Sequence, residues 1–173
     1  MLYMAIEIEL KFKVNDLDSL WKKLKGTEPD ILYVHDKVFG RKGVDYKIRK
    51  RTEVSTKGIN VGYQKTIPVK NKDKTKEVVE ETIERLPNGF KSENSYEKIR
   101  FLFERARCEV SIDFYPIGIY CEIEGSEKRI KELAKKLGFN PEKSIKKNID
   151  LIYCDWCKKR NKKPRLYWGF GKI

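Results

Sequence analysis

The run AIEIELKFKV, residues 5–14, alternates apolar and charged positions. That period of two predicts a β-strand with Ile6, Ile8, Leu10 and Phe12 on one face and Glu7, Glu9 and Lys11 on the other. The alternation returns in DYKIRKR, EKIRFLF, CEVSIDF and YCEIEG. Lys47, Arg49 and Arg51 share one face of the first of these, and Lys98 and Arg100 share a face of the second. Glu109, Ser111 and Asp113 lie opposite Val110, Ile112 and Phe114, while Glu122 and Glu124 lie opposite Cys121 and Ile123. Carboxylates therefore gather on some strands and cations on others.

Two segments change to a helical period. Leu17, Leu20, Trp21 and Leu24 follow Asp16 as a cap and precede Gly26, and Ile130, Leu133, Ala134 and Leu137 lie between Ser126 and Gly138. A third helix is expected from Pro141 to Tyr153, with proline in the first turn. Turns or loops are expected at Gly40 to Gly43, Thr56 to Gly58, NKDKTK and LPNGF. The order of strand, helix, strand-rich middle and helix predicts an α+β fold. About eight antiparallel strands would close into a barrel, a tunnel, with the apolar stripes of the helices packed around its outside.

An antiparallel sheet commonly has one solvated face, so any single charged face is ordinary. Recurrence on several strands alters that reading, because closure would make the charged face an interior. There, acids could hold divalent metal and bases could hold phosphate with little water to weaken either attraction.

The order of these features resembles the CYTH superfamily, the triphosphate tunnel metalloenzymes. The resemblance rests on Glu7-x-Glu9-x-Lys11, the arginines of IRKR, Lys98-x-Arg100, Asp113 and Glu122-x-Glu124, and it covers residues 3–153. Class IV adenylyl cyclases, thiamine triphosphatases and inorganic tripolyphosphatases belong to that family. The resemblance implies Mg²⁺ or Mn²⁺ held by Glu7, Glu9 and Glu124, with Glu122 and Asp113 as direct ligands or just behind them. It implies that Lys11, Arg49, Arg51, Lys65, Lys98 and Arg100 grip the substrate, Lys98 and Arg100 being the catalytic pair. The substrate would be a triphosphate such as ATP, thiamine triphosphate or tripolyphosphate. The attacker would be water in a phosphatase and the ribose 3′ hydroxyl in a cyclase.

The chain departs from the family pattern in places. Lys65 shares parity with Ile59, Val61 and Tyr63, which directs it with the apolar set unless a bulge intervenes. In KEVVEETIE, Glu77 and Glu81 fall on one parity and Glu80 and Glu84 on the other, so the register is open. Where family members often carry Ser-Tyr near the C-terminus, this chain has Ser144 followed by Ile145.

A length of 173 residues supports one domain, expected over 1–155, followed by a basic and aromatic extension over 156–173. The net charge of +13 points to an anionic partner without naming it. No apolar run is long enough to span a bilayer and no signal-peptide layout is present, so a cytoplasmic protein is expected. Cys154-x-x-Cys157 lacks the second close pair that a four-cysteine zinc site needs, so a plain thiol pair is expected. His35, the single histidine, reads as a surface residue. The tail KKRNKKPRLYWGFGKI has a composition able to hold single-stranded nucleic acid, although nucleic acid is not the favoured partner. Two other classes stay open: a non-catalytic polyphosphate or nucleotide binding module, and an RNA-binding protein or RNA 5′-triphosphatase.

Overall fold

The computed structural model describes residues 5–68 and 76–171, with backbone alone for 5–7, 68 and 76–79. The expected NKDKTK loop therefore falls largely outside the described residues. Nine strands and three α-helices are present among them: β1 (Ala5–Lys13), α1 (Leu17–Leu24), β2 (Asp30–Gly40), β3 (Lys47–Ser55), β4 (Gly58–Pro68), β5 (Lys76–Ile83), β6 (Lys91–Arg105), β7 (Cys108–Tyr115), β8 (Gly118–Glu124), α2 (Glu127–Leu137), α3 (Ile149–Lys158) and β9 (Tyr167–Trp168).

The strands form one sheet in the order β2-β3-β4-β5-β1-β8-β7-β6-β9, antiparallel except at β6–β9. β2 also pairs with β6 along its length, from Asp30 opposite Leu102 to Gly40 opposite Lys91, with a bulge between Val38 and Phe39. The sheet thus has one strand more than the sequence predicts. The additional one is the two-residue β9, contributed by the tail and parallel to β6 at Ser95 and Tyr96.

Period-two patterning decides which side is covered. Leu10, Phe12, Val110, Ile112, Cys121 and Ile123 form a buried layer against Leu20 and Leu24 of α1 and Ile130, Leu133, Ala134 and Leu137 of α2. Asp16 caps α1 by accepting from the Ser19 amide at 2.9 Å. α2 ends at Gly138, whose φ of +92° suits glycine and whose N–H reaches the last-turn carbonyls. Both helices match their sequence patterns.

The third helix does not. Pro141–Lys143 makes a 3₁₀ turn, the chain then extends, and α3 begins only at Ile149, capped by Asn148 accepting from the Leu151 amide. The break answers a long-range contact with β1. Among the described residues the register with β5 runs to Glu9 opposite Lys76, and further along the Lys11 carbonyl accepts from the Ile145 amide at 2.7 Å. Extending residues 144–148 satisfies that carbonyl, which a continuous helix would not.

A second core cluster joins α3 to the sheet. Tyr96, Tyr115, Ile117, Tyr120, Ile149, Tyr153, Cys157 and Trp168 are all buried in it. Trp168 is fully buried and stacks on Tyr153 with ring centroids 4.5 Å apart. The tail from Leu166 to Trp168 therefore lies against the sheet.

Candidate active site

On the sheet face opposite α1 and α2, a cavity of about 500 Å³ is lined by side chains from every strand β1–β8 and by the first residues of α3. Its acidic wall comes from β1, β7 and β8: Glu9, Glu109, Glu122 and Glu124. Facing cations come from β1, β3 and β6: Lys11, Lys47, Arg49, Arg51, Lys98 and Arg100. Register produces this mixture, since Glu9 lies opposite Glu124 and Lys11 opposite Glu122 across the β1–β8 pair.

The charges are wired together. Lys11 Nζ lies 2.9 Å from Glu122 Oε1 and 3.5 Å from Glu9 Oε1. Arg100 donates from Nη2 to Glu122 at 2.8 Å, and from Nε and Nη2 to both Asp113 oxygens at 2.7 Å. Lys98 Nζ donates to Asp113 Oδ2, also at 2.7 Å. On β3, Arg51 makes a two-pronged pair with fully buried Asp36, at 2.8 and 2.9 Å. Arg49 bonds Glu80 at 2.9 Å and Gln64 at 2.6 Å.

Burial and these partners set the protonation states. Burial opposes the Lys11 charge, but the Glu122 and Glu9 carboxylates outweigh it and raise its pKa above the ordinary lysine range. Burial likewise works against the charges of Asp113 and Glu122, yet neighbouring cations hold both carboxyls below the usual range: Arg100 and Lys98 for Asp113, Lys11 and Lys98 for Glu122. Two groups go the other way. Burial, with Arg100 beside it, pulls Lys98 down to about 8. Glu124 is raised to about 8 by burial and by the carboxylates of Glu122, Glu109 and Glu9.

A carboxyl held protonated by burial and by neighbouring carboxylates is one that a bound cation would help to ionise. Glu9, Glu122 and Glu124 each offer an oxygen, and these oxygens lie within 4.8 Å of one another. Oxygen donors converging in this way could hold a hard metal ion. No cysteine joins such a group among the described residues, and all four cysteines are free thiols.

No protein-family model matches the chain, and no curated protein matches it in sequence. Solved structures do match. A conserved hypothetical protein from Pyrococcus furiosus superposes with a TM-score of 0.62 at 19% identity, covering 83% of this chain and 97% of that one. A protein from Vibrio parahaemolyticus named a "putative adenylate cyclase" gives a TM-score of 0.63 at 15% identity, covering 87% of this chain and 98% of that one. A protein of the same name from Bacillus halodurans gives 0.54 at 13% identity, covering 85% and 96% respectively.

The chain shares the fold of these structures, in keeping with the resemblance that its sequence bears to the CYTH superfamily. On this sheet, Glu9, Lys11, Arg49, Arg51, Lys98, Arg100, Glu122 and Glu124 all line the cavity. The side chain of Glu7 lies outside the described residues, although its backbone pairs with Val78. Asp113 is brought near but engaged differently: its carboxylate is taken up by Arg100 and Lys98, and it is not part of the converging acid group.

Lys65 is not brought to the site. It pairs with Glu81 at 3.0 Å and sits over the Tyr46 ring, on the parity of Ile59 and Val61, which are 73% and 51% exposed. No bulge redirects it, since the β3–β4 and β4–β5 registers run unbroken through Lys65. The cavity instead receives Gln64 and Thr66 from β4. Glu80 of β5 points inward to Arg49, which settles the parity that the sequence left open. Asp36, in YVHDKVF, loosely matches an aspartate that the family often carries before an aromatic strand end. Asp45, Tyr96, Tyr115 and Asp150 also line the cavity, and no pattern in the sequence marked them.

Proposed function

We propose that this protein is a metal-dependent enzyme that holds a triphosphate inside a closed barrel and cleaves one of its phosphoanhydride bonds. Closure is supported by the long β2–β6 pairing, which returns the eighth strand of the row to the first. The observation that carries the reading is the division of the cavity into a converging acid group, Glu9, Glu122 and Glu124, and a facing set of Lys11, Arg49, Arg51, Lys98 and Arg100. A triphosphate with its divalent cation needs both halves.

Glu9, Glu122 and Glu124 would hold Mg²⁺ or Mn²⁺, with Glu7 as a further candidate on the same strand. The bound ion would neutralise phosphate charge as the bond to the leaving group breaks. Arg49 and Arg51 offer planar, paired donors matched to phosphate oxygens, and their acidic partners Glu80 and Asp36 fix the guanidinium planes in advance. Lys98 and Arg100, oriented by Asp113, would stabilise the charge that develops on the transferring phosphoryl group. Lys11 bridges the two halves. The attacking oxygen would come from water in a triphosphatase or from the substrate's own ribose in a cyclase. The names of the Vibrio and Bacillus neighbours favour a nucleotide.

The test is product release from tripolyphosphate, thiamine triphosphate and ATP with Mg²⁺ or Mn²⁺, comparing the native chain with Glu9→Gln. Phosphate release lost in Glu9→Gln supports a triphosphatase, and pyrophosphate with cyclic AMP supports a cyclase. Tight binding with no turnover of any of them would leave a binding module and refute the enzymatic reading.

A further inference from the structure

The run KKRNKKPR, residues 158–165, places six cations in eight positions, and the tunnel uses none of them. It is a built loop. The Lys159 amide donates to the Asp155 carbonyl at 3.0 Å and the Lys162 amide to the Cys157 carbonyl at 2.9 Å. Asn161 takes a left-handed turn with φ of 52°. The Arg165 amide donates to the Tyr153 hydroxyl at 3.1 Å, and the Ser95 amide donates to the Leu166 carbonyl at 2.7 Å. The chain thereby folds around a second cavity of about 320 Å³, walled by Tyr153, Trp156, Lys162, Lys163 and Arg165.

Trp156 is the half-buried floor of that cavity. The Arg160 guanidinium carbon lies 4.3 Å from its ring centroid and Lys162 Nζ lies 5.3 Å away. Leu166 is 75% exposed and Phe170 is 44% exposed. Asp155, the nearest acid in sequence, is paired with Lys147. The loop therefore offers cations, a flat aromatic wall and a cavity together. A small inorganic anion would use only the cations. An anionic membrane surface would need no cavity.

We propose that this loop is a second binding site, separate from the tunnel, for a single-stranded polynucleotide. Phosphodiesters lie along the cations, and a base enters beside Trp156 to stack on its indole or on the Arg160 guanidinium. One helix serves both sites. Asn148, Ile149 and Asp150 line the tunnel, and Trp156 follows about two turns later, roughly 10 Å along the axis. The inference does not depend on the tunnel reaction.

The experiment is fluorescence anisotropy with labelled 12-nucleotide RNA and DNA bearing 5′ hydroxyls, which offer the tunnel no triphosphate. Binding should weaken with salt along a log–log slope of about −3, as expected for roughly four phosphate contacts on a single strand. Lys162→Glu with Lys163→Glu changes exposed side chains only; it should weaken binding at least tenfold and reduce the slope by about 1.4. Trp156→Ala should weaken it about tenfold. Arg49→Ala, in the tunnel, should leave it unchanged. Relative affinity for RNA and DNA then identifies the natural strand. The proposal is overturned if the lysine double variant binds as the native chain does, or if Arg49→Ala abolishes binding. It is also overturned if duplex DNA or phosphatidylserine vesicles bind more tightly than the single strands.

Discussion

Arg100 and Asp113 meet through two parallel hydrogen bonds of 2.7 Å between directly opposed residues of β6 and β7, with both side chains buried. Lys98 adds a third bond to the same carboxylate and Glu122 a further acceptor for the same guanidinium. Truncating one member leaves charge buried without its counter-charge, which typically destabilises by about 3–5 kcal/mol. Asp113→Ala should therefore lose stability on that scale in urea unfolding. An unchanged midpoint would mean that the network contributes little to the fold.

Glu124 and Lys98 give the stability of the metal-free protein a particular pH dependence. In the folded chain Glu124 keeps its proton up to about pH 8. Its contribution is therefore present below the ordinary carboxylate value of about 4.5 and is lost as pH rises through 8. Lys98 is lowered from 10.5 to about 8, so its contribution is present above 10.5 and is lost as pH falls through 8. Melting temperature followed from pH 5 to 8 should fall more steeply in the native protein than in Glu124→Gln. Metal binding needs the ionised carboxylate, so Mg²⁺ affinity should climb with pH and level off near 8. Parallel melting profiles for the two proteins would contradict the raised Glu124 value.

Arg49 and Lys65 separate the cavity from the outer face of the same hairpin. Lys65→Ala should change tripolyphosphate affinity by less than about twofold, because its partner is Glu81 and its ring contact is Tyr46. On the proposed reading Arg49→Ala removes a charge-assisted donor to phosphate and should weaken binding tenfold or more. Isothermal titration of both variants checks the pair. Comparable losses in the two would place Lys65 in the site after all.

Most of the cavity was legible in the sequence because charge sat at alternate positions beside a strongly apolar parity. Leu10 and Phe12 against Glu9 and Lys11, or Cys121 and Ile123 against Glu122 and Glu124, leave one choice of face once a core forms on the other. β5 lacked that contrast. Its acids fall on both parities, and only pairing with Arg49 selects Glu80. The break after Lys143 was equally hidden, since it answers a carbonyl on β1 far away in sequence. Nothing in the sequence marked Tyr96 and Tyr115, because their placement depends on Trp168 packing against them from the tail. The family resemblance implied Asp113 as a metal ligand or a group just behind one, and its carboxylate pairs with the two cations of β6.

The most direct measurement of the central claim is isothermal titration of tripolyphosphate into the protein, with and without Mg²⁺, for the native chain and Glu9→Gln. The account predicts tight, one-to-one binding that Mg²⁺ strengthens at least tenfold in the native chain, and no such strengthening in Glu9→Gln. Binding that is indifferent to Mg²⁺ in both proteins, or stronger in Glu9→Gln with the metal present, would contradict a metal-assisted triphosphate site built on Glu9, Glu122 and Glu124.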